Sequence, residues 1–278
     1  MAGNREVHEL KNLFRAVLFA VLAALSWLPP AAQAAMSEWA ESEGGRMRLV
    51  AISQPRNDAI LALLQIEPKP GWKTYWRDPG DAGMPPQLDF TGSINLVLRS
   101  VSFPVPEIGN DDGGRFVGYH QPVSLIVEFA KPLPDAPSTI NLNAIVGICE
   151  KVCLPFMTNF SMPLKPGQPE GEEFMQLQLA QSALPEKPGK DFEIRNLHFS
   201  ADSKMIEAEI TLPGAEAPQV AIVAPPGLRL GKVEIDAGMD KIAHIRIPVI
   251  SDKAQAERTI TMLVKSGGRA IEATLALK

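Results

Sequence analysis

Two stretches of alternating side chains flank the only two cysteines of this chain, and they constrain its fold more than any other feature. Before Cys149, the residues Ile140, Leu142, Ala144, Val146 and Ile148 fall on one side, with Asn141 and Asn143 opposite. After Cys153, the residues Leu154, Phe156, Phe160 and Met162 repeat the pattern. A period of two belongs to a strand with one buried face, and two such runs joined by a short connection read as a β-hairpin. Further β-branched or alternating runs lie at Met47–Ser53, Ile94–Phe103 and Phe116–Phe129. Ala59–Glu67 reads either as a strand or, with Asn57 and Asp58 as caps, as a short helix. The 25 prolines and 21 glycines punctuate these runs, and long helical patterns are scarce. The expectation is an all-β chain.

The segment from Lys165 to Glu173 is rich in Pro, Gly and Glu and reads as a linker. Phe174–Leu184 then has helical spacing, closed by Pro185 and Pro188. A second β series follows at Phe192–Ser200, Met205–Leu212, Gln219–Ala224, Leu228–Asp236, Ile242–Val249, Thr259–Lys265 and Ala270–Leu277. Short strands at this spacing suggest a sandwich. The expected organisation is a first β-sandwich over residues 36–165, a linker with a short helix over 166–187, and a second β-sandwich over 188–278.

Residues 1–34 read as a secretory signal. Arg5, Lys11 and Arg15 lie in a polar start, Ala16–Leu28 is an uncharged apolar run, and Pro29 and Pro30 break it. Ala32-Gln33-Ala34 supplies small residues for cleavage after Ala34. An uncleaved anchor is the competing reading, because no charge appears until Glu38. No later stretch is long and apolar enough to cross a bilayer, so the expectation is an exported periplasmic protein with no integral membrane segment after cleavage. Its formal charge of −5 becomes one unit more negative when three basic and two acidic leader residues are removed. That balance argues against nucleic acid and anionic membrane surfaces as partners.

In such a compartment a close cysteine pair can form an inert disulfide, exchange one, or hold a soft metal. Within one extended strand, residues four apart are separated by about 13 Å, whereas a disulfide needs about 4.4–6.8 Å between Cα atoms. The pair therefore flanks a turn: a three-residue hairpin loop at Glu150-Lys151-Val152, or one helical turn. Either places the sulfurs at an accessible tip. Closing so small a ring removes only about 2 kcal/mol of unfolded-state entropy, against about 4.7 for a 100-residue loop, so the bridge is a poor staple. Lys151 would lower a neighbouring thiol pKa and Glu150 would raise it. Thiolates with thioethers from Met84, Met157 or Met162 would suit Cu(I), but no M-x-x-M or H-x-x-H cluster accompanies the pair. Strand packing is the simpler role for those methionines.

The run C-E-K-V-C-L-P after a β segment resembles the N-terminal domain of DsbD, the bacterial thiol:disulfide interchange protein. It is most similar to the DsbD-like domains of proteins linked to suppression of copper sensitivity. G-W-K-T-Y-W-R-D-P-G-D-A-G-M-P-P, from Gly71 to Pro86, resembles a second landmark of that family. Phe103-Pro104-Val105-Pro106 and Gly118-Tyr119 resemble others, so that the likeness covers about residues 45–165. The resemblance implies an immunoglobulin-like sandwich with the cysteines in a hairpin, and hence two tandem sandwiches of that kind along the chain. It implies that Cys153 makes the mixed disulfide and Cys149 resolves it. Trp72, Tyr75, Trp76 and Tyr119 are candidates to frame the bridge, and for Trp72, Tyr75 and Trp76 packing in a sandwich core or beneath a Pro-Gly turn is the alternative. The spacing departs from DsbD itself, whose cysteines stand farther apart.

Neither a membrane-embedded electron conduit nor a thioredoxin-like domain is expected in these 278 residues, and there is no third cysteine. The expected partners are therefore a separate membrane-bound thiol reductase and a periplasmic substrate protein. The chain would serve as a component of a protein-disulfide reductase system. A copper-handling protein binding Cu(I) through the same thiols and a non-catalytic interaction domain with a structural disulfide are the alternatives. No cofactor or resident metal is expected. Asn110-Asp111-Asp112-Gly113-Gly114 lacks the alternating ligands of a Ca²⁺ loop and reads as a solvated turn. Arg77, Asp78 and Asp81 read as turn residues.

Overall fold

The computed structural model describes residues 36–52, 59–111, 113–164, 171–200, 202–238, 241–253 and 259–277. The leader read over residues 1–34, the caps Asn57 and Asp58, and linker residues 165–170 lie outside them. The described strands before the helix are Ala40–Glu41 (β1), Gly45–Ile52 (β2), Ala59–Pro68 (β3), Thr74–Gly80 (β4), Gln87–Asp89 (β5), Val97–Ser102 (β6), Glu107–Asp111 (β7), Gly114–Tyr119 (β8), Val123–Ala130 (β9), Thr139–Cys149 (β10) and Cys153–Pro163 (β11). The helix Glu172–Ser182 (α1) follows. After it come Glu193–Ser200 (β12), Met205–Thr211 (β13), Gln219–Val223 (β14), Leu228–Leu230 (β15), Glu234–Ala237 (β16), Ile242–Asp252 (β17), Thr259–Ser266 (β18) and Arg269–Ala276 (β19). The chain is all-β and immunoglobulin-like, with its short helix between the two strand groups.

In the first group a five-stranded sheet, ordered β1-β2-β3-β9-β6, faces a three-stranded sheet, ordered β11-β10-β5. Alternation dictates what lies between them. Met47 and Leu49 from β2, Ala62, Leu64 and Ile66 from β3, and Leu125, Val127 and Phe129 from β9 turn inward. They meet Ile140, Leu142, Ala144, Val146 and Ile148 from β10, and Phe156, Phe160 and Met162 from β11. The opposite face of the larger sheet presents Val50, Ile52, Leu63 and Ile126, and Leu177 and Ala180 of α1 cover it.

A third small sheet, ordered β4-β8-β7, positions the site. β4 starts on the end of β10: Lys73 and Cys149 exchange backbone hydrogen bonds of 2.8 and 2.9 Å, and the Thr74 hydroxyl donates to the Gly147 carbonyl at 3.0 Å. Neighbouring residues on β4 and β8 then face opposite ways. Tyr75 and Phe116 point to the cysteines, while Trp76 and Val117 enter the main core.

The second group pairs β12-β13-β17-β15, with β16 also on β17, against β14-β18-β19. Ile206, Ile210, Ile245, Ile247, Ile260 and Met262 are among the residues filling its core. The other face of β14 and β18 sends Ala221 and Leu263 into the core of the first group.

Several expected elements differ. Ala59–Glu67 is a strand, because both its neighbours, β2 and β9, pair with it in unbroken register. Phe116–Phe129 is two strands, since the chain turns at His120-Gln121-Pro122, where proline has no amide to give a ladder. Leu228–Asp236 is likewise split into β15 and β16. β4, β5 and β7 were not legible as strands: they are short, and β4 contains Pro79 and Gly80.

Candidate functional site

The hairpin register places Cys149 directly opposite Cys153, with Glu150-Lys151-Val152 as a three-residue loop, and the two are joined as a disulfide with Cα atoms 4.1 Å apart. Alternation explains where the sulfurs lie. Ile148 is the last inward residue of β10, so Cys149 projects from the outer face of its sheet. It is nonetheless only 2% exposed, because Tyr75 and Phe116 cover it. Their rings pack edge to face, with centroids 5.7 Å apart at 68°, an arrangement aromatic pairs favour.

Cys153 is less enclosed. The Tyr75 hydroxyl lies 3.5 Å from its sulfur and the Ala82 carbonyl oxygen 3.9 Å from it. Its neighbour in the loop, Val152, is 69% exposed. A cleft of about 400 Å³ opens here, lined by Lys73, Tyr75, Gly83, Asp111, Phe116 and both cysteines, among others. Cys153 thus stands at a partly open surface, whereas Cys149 is shielded.

Several charges at the rim are paired. Lys73 forms an ion pair with Asp111 and holds its ammonium 5.2 Å from the Phe116 ring centroid. The Lys73 hydrogen bond holds the Asp111 carboxyl below its ordinary pKa, helped by the Gly113 amide. Arg115 meets Asp78 at 3.2 Å, and its backbone amide donates to Asp81 at 2.7 Å. Burial raises the Tyr75 phenol above its ordinary pKa, and the charge of Asp111 adds to this. Tyr75 is therefore a neutral hydrogen-bond donor across the physiological range.

Of the residues expected to frame the bridge, the structure brings only Tyr75 to it. Trp76 is fully buried on the other side of β4, and Trp72 packs against the main core. Tyr119 is buried in that core and donates from its hydroxyl to the Pro104 carbonyl at 2.8 Å. Arg77 and Asp78, read as turn residues, lie on β4, and Asp81 stands in the bend after it; Asp78 and Asp81 both brace Arg115. Phe116, Lys73 and Asp111 are the site residues that sequence reasoning missed. Phe116 had one usable signal: it alternates with the core residue Val117 and so must face away from the core. Asp111 closes the β7–β8 hairpin where a solvated turn was expected. Among the described residues, no group of three or more His, Cys, Asp and Glu side chains is arranged to hold a metal ion, and no helix is long and apolar enough to cross a membrane.

Residues 47–165 match the family model described as "Thiol:disulfide interchange protein DsbD, N-terminal". That stretch is a DsbD N-terminal-like domain. It spans almost all of β2 through β11 and includes the hairpin, its disulfide and the covering sheet. Over 88% of this chain and 98% of its own, the crystal structure of the N-terminal periplasmic domain of ScsB from Proteus mirabilis superposes with a TM-score of 0.66 at 20% identity. The likeness is one of fold, and it takes in both strand groups. An endo-fucoidan hydrolase of glycoside hydrolase family 107 also aligns, with a TM-score of 0.21 and 12% identity over 69% of this chain and 26% of its own. That score carries no structural argument. No curated protein matches.

Proposed function

We propose that this chain is a periplasmic thiol–disulfide exchange module. It cycles the Cys149–Cys153 bridge between a separate membrane-bound reductase and a substrate protein. The observation that carries this reading is the asymmetry of the pair: Cys149 is buried beneath Tyr75 and Phe116, while Cys153 is only partly buried. The match of residues 47–165 to the DsbD N-terminal family supports it. The leader pattern of residues 1–34 and the fold shared with a periplasmic domain support an extracytoplasmic location. Residues 36–165 carry the exchange site, residues 188–278 support it, and residues 166–187 join the two.

The chemistry balances with a dithiol partner. A partner thiolate attacks Cys153 Sγ, the Cys149–Cys153 bond breaks, and Cys149 leaves as a thiolate that takes up a proton. The partner's second thiol loses its proton and attacks the partner sulfur of the mixed disulfide, releasing Cys153. The partner is oxidised by two electrons and the pair is reduced. In the second half-cycle the Cys153 thiolate attacks a substrate disulfide, and Cys149 attacks Cys153 Sγ to release the reduced substrate.

Trapping tests the assignment. In Cys149→Ser the Cys153 thiolate still attacks a substrate disulfide but no Cys149 remains to release it, so a mixed disulfide with the substrate protein accumulates. Cys153→Ser gives none. Equal trapping by the two variants would remove Cys153 as the attacked sulfur. A reduction potential below about −300 mV would instead mark a structural bridge and sink the exchange reading.

A further inference from the structure

The sheet that covers the disulfide rests on the second strand group. Tyr75 and Phe116 occupy one face of β4-β8-β7, and the other face sends Trp76 and Val117 into a core that also contains Ala221 of β14 and Leu263 of β18. Three polar contacts fasten this seam. Lys265 donates from Nζ to the Pro106 carbonyl at 2.7 Å, and Gln219 from Nε2 to the Ile108 carbonyl at 3.2 Å, which fixes β7. Arg77 of β4 meets Glu272 of β19 at 3.2 Å.

The Arg77–Glu272 pair occupies the weakest stretch of the covering sheet. β4 pairs with β8 at Thr74 and Tyr75, and the register then shifts before the next pairing at Gly80. Between those points no ladder holds β4. Arg77 lies there, two residues from Tyr75, with its guanidinium 4.7 Å from the Phe103 ring centroid and 5.3 Å from that of Trp76. Arg77 and Glu272 are each about three-quarters buried, at 25% and 23% exposure. An ion pair in such a place contributes more to geometry than to stability, because desolvation offsets most of its attraction while removing one partner leaves a buried charge alone.

We propose that Arg77 and Glu272 are positioning residues for the disulfide: the second strand group, through this pair, holds β4 down and so keeps Tyr75 over Cys149 and beside Cys153. The inference rests on the exchange reading for its biological meaning, but not for its test. It gives the C-terminal strand group a defined role, which is to set how readily a thiol reaches the bridge.

The test uses the full chain and measures the rate at which dithiothreitol reduces the disulfide. Glu272→Ala is expected to speed reduction about tenfold, because the closed state loses this ion pair and keeps an unpaired, largely buried guanidinium. The double exchange Arg77→Glu with Glu272→Arg is expected to bring the rate back toward that of the parent. Ile260→Val, in the core of the second group, lowers stability without touching the seam and should leave the rate unchanged. If Glu272→Ala does not fold, Glu272→Gln decides, with a smaller acceleration. Equal rates in the parent and in every folded variant at this pair would overturn the proposal, as would an equal acceleration by Ile260→Val. A Cys149→Ser protein that traps no partner, while Glu272→Ala still opens the bridge of the otherwise unaltered chain to dithiothreitol, would remove the exchange function and leave the positioning role standing.

Discussion

The hydroxyl of Tyr75 lies 3.5 Å from Cys153 Sγ, and the ring that carries it covers Cys149. One side chain thus touches both ends of the bridge in different ways: it shields one sulfur by packing and offers the other a hydrogen bond. Burial and the charge of Asp111 raise its pKa, so the proton stays on oxygen throughout the range in which a thiol exchanges.

Tyr75→Phe should separate these two contributions. The ring remains, so Cys149 stays covered and dithiothreitol reduces the bridge at close to the parent rate. In the reduced protein the Cys153 thiolate loses a donor, which moves its pKa upward. The pH dependence of iodoacetamide alkylation reads that pKa, and an unchanged profile would show that the hydroxyl does not reach the thiolate. Tyr75→Ala also removes the cover and should speed reduction of the bridge severalfold.

Acid should loosen the cleft rim through Asp111. Its folded pKa is lowered, mainly by Lys73, so the stability it contributes is present above the unfolded value of about 3.9 and lost as pH falls through the folded one. Asp111 is partly exposed, which screens the pair and holds its worth under about 1 kcal/mol. Urea unfolding at pH 6 should show the parent more stable than Asp111→Asn by an amount of that order. The difference should vanish well below pH 3, and a difference that persists there would refute the pairing.

Much of the fold was legible because its strands alternate. Ile140 to Ile148 announce one buried face, and the same count predicts that Cys149 lies on the other. What the sequence could not reveal is that this outer face is itself covered. Tyr75 and Phe116 are 41 residues apart in the chain, and the strands that bring them together are short, irregular and interrupted by Pro79 and Gly80. Trp72, Trp76 and Tyr119 share their motifs with the site and not its contacts, because neighbouring residues on a strand point opposite ways. Arg77 reads as a turn residue until Glu272, 195 positions later, is seen beside it.

Gly118 lets β4 lie close to β8. A Cβ there would fall 2.2 Å from the Thr74 carbonyl oxygen and 2.9 Å from both the Phe116 ring and Tyr75 Cα. Backbone cannot yield that much without moving the strand. Gly118→Ala should therefore destabilise the protein by about 1–3 kcal/mol, the usual range for overpacking a close contact. It should also lift Tyr75, so that reduction by dithiothreitol speeds up even in the absence of denaturant. A stability loss with no change in that rate would mean that the strain is relieved away from the cover.

Glu272 should depend on pH with the opposite sign to Asp111. Burial raises its folded pKa, against the pull of Arg77. The folded state then holds the proton more tightly than the unfolded chain does. Its contribution to stability is full below the unfolded value of about 4.3 and is lost as pH rises through the folded value. Glutamine mimics the protonated form at every pH, so Glu272→Gln keeps what the parent loses. Urea unfolding at pH 4 and pH 7 should show the parent's stability relative to Glu272→Gln declining between the two. The variant should nevertheless open its disulfide faster at pH 7, since an uncharged amide holds Arg77 less firmly than a carboxylate does. If the parent instead gains on Glu272→Gln as pH rises, attraction to Arg77 outweighs desolvation, and the pair is a source of stability as well as of position.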